Sequence, residues 1–231
     1  MVRMAIVTFP GSNCDYDCFK AAELVGMQPR FVWHREMSIG DADMVVLPGG
    51  FSYGDYLRCG AIAALAPIMA DVKRHADNGG LVLGVCNGFQ ILCEAQLLPG
   101  ALLRNESLRF IHANVHLRVE RADLPFTRAM KAGEVFQVPI AHAEGNFTLD
   151  PADLADLEAR GGVAFRYCSP AGEIGEDHVP NGAMNGIAGI VNVQGNVLGM
   201  MPHPERAVDP RLGPTGGLGM FWSLAEAFSR A

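Results

Sequence analysis

Apolar runs of strand length alternate with amphipathic stretches of helix length along the first half of the chain. Residues 2–8 form the first such run, and the loop Phe9-Pro10-Gly11-Ser12-Asn13 separates it from residues 15–26. In that stretch Phe19, Ala22 and Val25 share one helical face and Gly26 provides a stop. Residues 31–34 and 44–47 predict two more strands, the second ended by Pro48-Gly49-Gly50. A helix is expected within residues 60–76, broken or started near Pro67, because proline lacks the amide that an interior helical position uses. Residues 81–85 are again apolar throughout, and 87–96 continue as a helix. Strands that are apolar on both faces and separated by helices predict a parallel sheet covered on both sides. Such sheets carry their sites beyond the carboxyl ends of the strands, here at residues 9–15, 48–54 and 85–88.

The second half changes period. Residues 112–120 and 135–141 partly alternate, as antiparallel strands do, and 150–160 form a short amphipathic helix closed by Gly161-Gly162. Residues 163–168 predict a strand, 187–193 and 197–201 flank the turn Gln194-Gly195-Asn196, and 218–229 a terminal helix. With no repeat, low-complexity tract or Pro/Ser linker, the expectation is one α/β domain over residues 1–231, an open, mostly parallel sheet with antiparallel additions.

Composition narrows the function classes. The 231 residues carry 18 Lys+Arg against 25 Asp+Glu, a net charge of −7, and the only lysines are Lys20, Lys73 and Lys131. That balance argues against a nucleic-acid or anionic-membrane surface. The longest continuous apolar run, residues 61–70, contains Pro67 and is too short to span a bilayer. No signal-peptide pattern opens the chain, so a cytoplasmic protein is expected. Its six cysteines, Cys14, Cys18, Cys59, Cys86, Cys93 and Cys168, make no Cys-x-x-Cys pair, which points to reduced thiols and no metal site.

One cysteine stands apart. Gly84-Val85-Cys86-Asn87-Gly88 follows an apolar strand and opens a helix, the cysteine counterpart of a nucleophile elbow. Flanking glycines relieve crowding in so sharp a turn, the helix N-terminus favours negative charge on the sulfur, and the Asn87 amide faces an oxyanion formed by attack of Cys86. A buried structural cysteine in a glycine-rich turn is the competing reading. A thiol nucleophile works with a base and a group that orients the base. His203 in Pro202-His203-Pro204-Glu205 is the candidate: Pro204 disfavours helix at His203, and in an extended chain Glu205 shares its side. A surface Pro-His-Pro turn with an unrelated glutamate competes with it. Gly50, in the turn after the third strand, offers a second amide converging with that of Asn87, or is simply part of a Pro-Gly-Gly turn.

Taken together, 84–90, Pro48-Gly49-Gly50 and 202–205 resemble the triad (class I) glutamine amidotransferases. Residues 9–15, 50–55, 105–110, 139–145 and 199–206 narrow the resemblance to the glutaminase subunits of phosphoribosylformylglycinamidine synthase. The resemblance implies a flavodoxin-like or Rossmann-like fold. It also implies that Cys86 attacks the side-chain amide of glutamine, that His203, oriented by Glu205, protonates the departing ammonia, and that water hydrolyses the thioester. Gln90, one turn beyond Cys86, is expected to help hold glutamine, or to be an ordinary helix glutamine. Arg109, Phe110, His142 and Glu144 border either the pocket or a subunit interface. Residues 172–184 and 212–219 match nothing in that family pattern.

The family makes the amidine intermediate of purine biosynthesis from formylglycinamide ribonucleotide with ATP. This chain has no Gly-x-x-x-x-Gly-Lys-[Ser/Thr] loop. The resemblance therefore implies no cofactor here, ATP and Mg on a large synthetase subunit, and a small accessory subunit in the same complex. Two other classes remain open: a glutaminase serving another synthetase or acting alone, and a non-catalytic flavodoxin-like binding module in which Cys86 only packs.

Overall fold

The computed structural model describes residues 1–228. In chain order the elements are β1 (Arg3–Thr8), α1 (Asp15–Leu24), β2 (Gln28–Trp33), β3 (Met44–Leu47), α2 (Met69–Asp77), β4 (Leu81–Val85) and α3 (Asn87–Glu94). They continue with β5 (Ala101–Leu103), β6 (Ile111–Val119), β7 (Val135–His142), β8 (Asn146–Thr148), α4 (Pro151–Ala159), β9 (Val163–Cys168), β10 (Ile187–Val191), β11 (Val197–Met200) and α5 (Leu218–Ala227).

Nine strands form one sheet in the order β2-β1-β3-β4-β11-β10-β9-β6-β7. The half from β2 to β11 is parallel, and the half from β11 to β7 is antiparallel. The division follows the sequence pattern. Every residue of β3 and β4 is buried, as strands covered on both faces must be, whereas β7 alternates buried and half-buried positions along its length. The expected α/β fold with antiparallel additions is present.

Local differences have local causes. β2 begins at Gln28 and includes Pro29, earlier than the expected 31–34; it is an edge strand paired only with β1, where a missing amide is tolerated. α1 buries Cys18, Ala21 and Ala22, and Phe19, partly buried against the core, stacks on Phe31 of β2 at 5.1 Å. The segment 60–76 divides into a 3-10 turn, Ala63–Leu65, and α2, with Ala66 extended in front of Pro67 as proline demands of its predecessor. β5 and β8 pair as a separate two-stranded sheet; at three residues each they are too short to show a period. The terminal helix ends at Ala227, and Ser229, its expected end, lies outside the described residues. Among the described residues no helix is long and apolar enough to cross a membrane.

α3 lies unusually close to the sheet. A Cβ on Gly88 would stand 1.9 Å from the Leu47 carbonyl oxygen of β3, and one on Gly199 of β11 would stand 2.1 Å from the Phe89 ring. Both glycines exist for this approach. Gly88→Ala should therefore cost about 1–3 kcal/mol or more through overpacking. In a denaturant titration the midpoint should fall, and an unchanged midpoint would show that α3 is not seated this tightly.

Candidate active site

The carboxyl ends of β3, β4 and β11 converge on one cluster. β4 passes into α3 through Cys86 alone, without a loop. Cys86 has φ 51° and ψ −106°, a conformation that side-chain-bearing residues rarely adopt and that costs about 1–3 kcal/mol. Its amide donates to the Met200 carbonyl at 2.7 Å, which anchors the turn to β11. Gly84 and Gly88 make the turn sterically feasible, since a Cβ on Gly84 would lie 2.6 Å from the Gly88 carbonyl oxygen. The thiol is 5% exposed and its sulfur is 3.8 Å from the Ala141 carbonyl oxygen. Strand, strained residue and helix have the geometry of a nucleophile elbow.

His203 follows β11, and its amide donates to the Pro139 carbonyl of β7 at 2.8 Å. Its Nδ1 lies 2.6 Å from Glu205 Oε1, with the two residues 1% and 2% exposed. The pairing expected of an extended chain is made differently: Pro204–Arg206 is a 3-10 turn with His203 at its N-cap, and the tight turn brings the carboxylate back to the ring. Burial opposes a charged imidazole, but the Glu205 carboxylate and the nearby Cys86 outweigh it, so His203 titrates well above its ordinary 6.5. With Nδ1–H given to Glu205, Nε2 is the nitrogen left for chemistry, and it has no hydrogen-bond partner.

Gly50 and Cys86 line the same two cavities, of about 70 and about 170 Å³. Gly50 has φ 151°, and a Cβ there would collide with the Gly11 carbonyl oxygen at 2.7 Å, so only glycine fits the turn. Asn87 is the first residue of α3, where amides have no acceptor within the helix. Its side chain accepts from the Ser52 amide at 3.1 Å and donates to Gln90 Oε1 at 2.9 Å. Gln90 Nε2 in turn donates to the Glu144 carbonyl at 2.7 Å. Gln90 thus lines the smaller cavity, with both ends of its amide already engaged by the protein.

Of the four residues with open roles, three line the cavities: His142 and Glu144 the smaller, Phe110 the larger. Arg109 contributes its carbonyl, which accepts from Asn105 Nδ2 at 2.9 Å. His142 Nδ1 pairs with Asn105 Oδ1 at 3.1 Å, and burial together with the neighbouring His203 pushes its titration down to about 4, leaving a neutral ring. Three side chains near Cys86 carry no signal in the local pattern. Cys14, held by its amide to the Gly49 carbonyl, places its sulfur within 4.8 Å of a His203 ring nitrogen and a Glu205 oxygen. Asp55 and Cys59 line the smaller cavity from the loop after β3. A lone thiol or acid in a loop has no periodicity to mark it; only its neighbours in space do.

A strained cysteine facing a buried His–Glu pair above a parallel sheet defines a cysteine-dependent hydrolase or acyl-transfer site. The family model for the CobB/CobQ-like glutamine amidotransferase domain matches residues 1–215. The chain is 57% identical to the phosphoribosylformylglycinamidine synthase subunit PurQ of Nitrobacter hamburgensis, over the full length of both, and 53% identical to that of Salinibacter ruber, over 98% of this chain and 97% of the relative. The PurLQS structure from Thermotoga maritima superposes with a TM-score of 0.86 at 42% identity, covering 97% of this chain and 98% of that one. A further glutamine amidotransferase from that organism, 16% identical with a TM-score of 0.60, shares the fold. The chain belongs to the CobB/CobQ-like glutamine amidotransferases, and within them to the PurQ subunits of phosphoribosylformylglycinamidine synthase.

Proposed function

We propose that this chain is the glutaminase of a phosphoribosylformylglycinamidine synthase, with Cys86, His203 and Glu205 as its triad. The strained Cys86 beside a buried, high-titrating His203 carries the reading. Nε2 of His203 takes the proton of the Cys86 thiol, and Sγ attacks the side-chain carbonyl carbon of glutamine. The oxyanion that forms is met by the Asn87 amide at the start of α3 and by the Gly50 amide across the cavity. When the C–N bond breaks, Nε2 of His203 gives its proton to the leaving nitrogen, so that ammonia departs and a γ-glutamyl thioester remains on Cys86. Water, giving a proton to Nε2, adds to the thioester carbonyl; as the C–S bond breaks Nε2 passes that proton to sulfur, releasing glutamate and the free thiol. Glu205 holds Nδ1–H throughout, which fixes the tautomer and stabilises the charged ring.

Ammonia is then passed to a synthetase subunit, PurL in the relative's complex, where formylglycinamide ribonucleotide is amidated with ATP and Mg; a small third subunit completes the assembly. The absence of a phosphate-binding loop from this sequence supports that division, and the chain itself is assigned no cofactor or metal. The cavity of about 70 Å³ is small beside the roughly 300–1,000 Å³ of typical ligand sites. A resting site this narrow supports gating, in which docking of the synthetase widens it. The chain alone should release ammonia from glutamine slowly, and the co-purified complex should do so at least about tenfold faster while also accepting free ammonia for the synthesis. Equal glutaminase turnover with and without the partner would refute the gating; failure of the complex to use glutamine would refute the assignment.

A further inference from the structure

Cys14 lies against the His203–Glu205 pair and has no part in the reaction proposed above. It is 2% exposed, and its sulfur, a ring nitrogen of His203 and a carboxylate oxygen of Glu205 all lie within 4.8 Å of one another. The loop after β1 and the turn after β11 meet here over Gly49, which follows β3. A Cβ on Gly49 would stand 3.0 Å from Cys14 Sγ, and 2.7 and 3.4 Å from Cε1 and Nδ1 of His203. The sulfur therefore faces the Cε1–Nδ1 edge of the ring, whose Nδ1 pairs with Glu205.

A second feature is independent of the thiol. Glu205 Oε1 takes the Nδ1 hydrogen, but Glu205 Oε2 is buried without a hydrogen-bond partner. A buried carboxylate oxygen lacking a donor is costly, and it marks a place that suits an ion. Thiolate, imidazole and carboxylate are the donors that zinc takes, whereas magnesium demands an octahedron of oxygens. Around a four-coordinate zinc with bonds of about 2.0–2.3 Å, ligand atoms stand roughly 3.3–3.8 Å apart. The separations here bracket that spacing, from 2.6 Å between Nδ1 and Oε1 to no more than 4.8 Å within the group. Cys14 and His203 both line the cavity of about 170 Å³, which gives an ion a way in and a water for the fourth position.

We propose that Cys14, His203 and Glu205 form a site for zinc or another thiophilic divalent cation, whose occupation reversibly shuts off the glutaminase. The ion is an inhibitor and not a cofactor. It displaces one proton from Nδ1 of the charged His203 ring and one from the Cys14 thiol, and both pass to solvent. What remains is a neutral ring with its single hydrogen on Nε2. That atom then neither accepts the Cys86 proton nor protonates the departing nitrogen as a charged ring does. The binding stands on the geometry alone, whereas the loss of activity rests on the glutaminase reading.

The test adds zinc to the complex with its synthetase at saturating magnesium and follows synthesis from glutamine and from ammonia. Glutamine-dependent synthesis should fall at least about tenfold, ammonia-dependent synthesis should hold within about twofold, and a chelator should restore the loss. Cys14→Ser, whose hydroxyl is a poor zinc ligand, should need about 10- to 100-fold more zinc for half-inhibition of its own zinc-free rate, and Cys59→Ser the same as wild type. Equal sensitivity of Cys14→Ser and wild type overturns the proposal, because zinc would then act elsewhere. Cobalt(II) reads the site without activity. Bound to this chain, it should give the sulfur-to-metal absorption of a tetrahedral site, and that band should survive in Cys86→Ala. Its absence from wild type, or its loss in Cys86→Ala, overturns the proposal even if Cys14→Ser fails to fold. A complex that makes no product from glutamine before zinc is added overturns the glutaminase reading instead, and the cobalt band then decides the site.

Discussion

Replacing Cys86 with alanine should lower glutamine-dependent synthesis by the complex about 10⁴-fold or more, because loss of a nucleophile removes the covalent route altogether. Ammonia-dependent synthesis should survive, since the chemistry that uses ammonia lies on the partner. An electrophilic glutamine analogue should modify Cys86 alone among the six cysteines, and the alanine variant should not be modified. Cys14 and Cys59, which lie near the same cavities, make this demanding: a mapped adduct on either would refute the assignment. Stability supplies a second readout. At φ 51° glycine is unstrained, so Cys86→Gly should be more stable than Cys86→Ala by about 1 kcal/mol while equally inactive. Were Cys86 only a packing residue, both variants would turn over glutamine.

Glu205→Gln should reduce kcat about 10²- to 10⁴-fold, since an amide neither fixes the His203 tautomer nor compensates a charged ring. It also removes one member of a buried pair, which typically costs about 3–5 kcal/mol. The sign of the pH dependence follows from the raised titration of His203. In wild type the folded protein binds the His203 proton more tightly than the unfolded chain does. The stabilisation from the pair is therefore complete below the ordinary histidine value of 6.5 and is lost as pH rises through the raised folded-state value. In Glu205→Gln burial prevails and pushes His203 down, so that variant gains stability as pH rises through the neutral range. The gap in denaturant midpoints should be widest below pH 6.5 and should narrow steadily as pH rises above it. A constant gap across that range would show that His203 is not charged in the folded protein.

Much of the fold was legible in the apolar runs. The bounds of Met44–Leu47 and Leu81–Val85 are legible, because a strand buried on both faces leaves a continuous apolar signature. The edges were harder. Pro29 conceals the start of β2, and three-residue strands have no period. Cys86 was legible because its chemistry requires a local pattern, glycines before and after a residue forced into a strained turn.

The linear sequence by itself determined what depends on neighbours along the chain: the layered α/β class, the elbow at Cys86, and the nearness of His203 to Glu205. It did not determine how that last pair meets, because extended chain and 3-10 turn both permit it and the choice rests on the His203 amide bonding to Pro139 of β7. Only the tertiary structure decided what surrounds Cys86. Sheet order sets β4 between β3 and β11, and this alone brings Gly50, Cys86 and His203 to one cavity from positions far apart in sequence. The same packing seats Cys86 and the Glu205 carboxylate against His203, which raises its titration against the opposing effect of burial, and it brings Asp55, Cys59 and Glu144 together. Burial and like-charge crowding are properties of three-dimensional proximity, and no local pattern of residues encodes them.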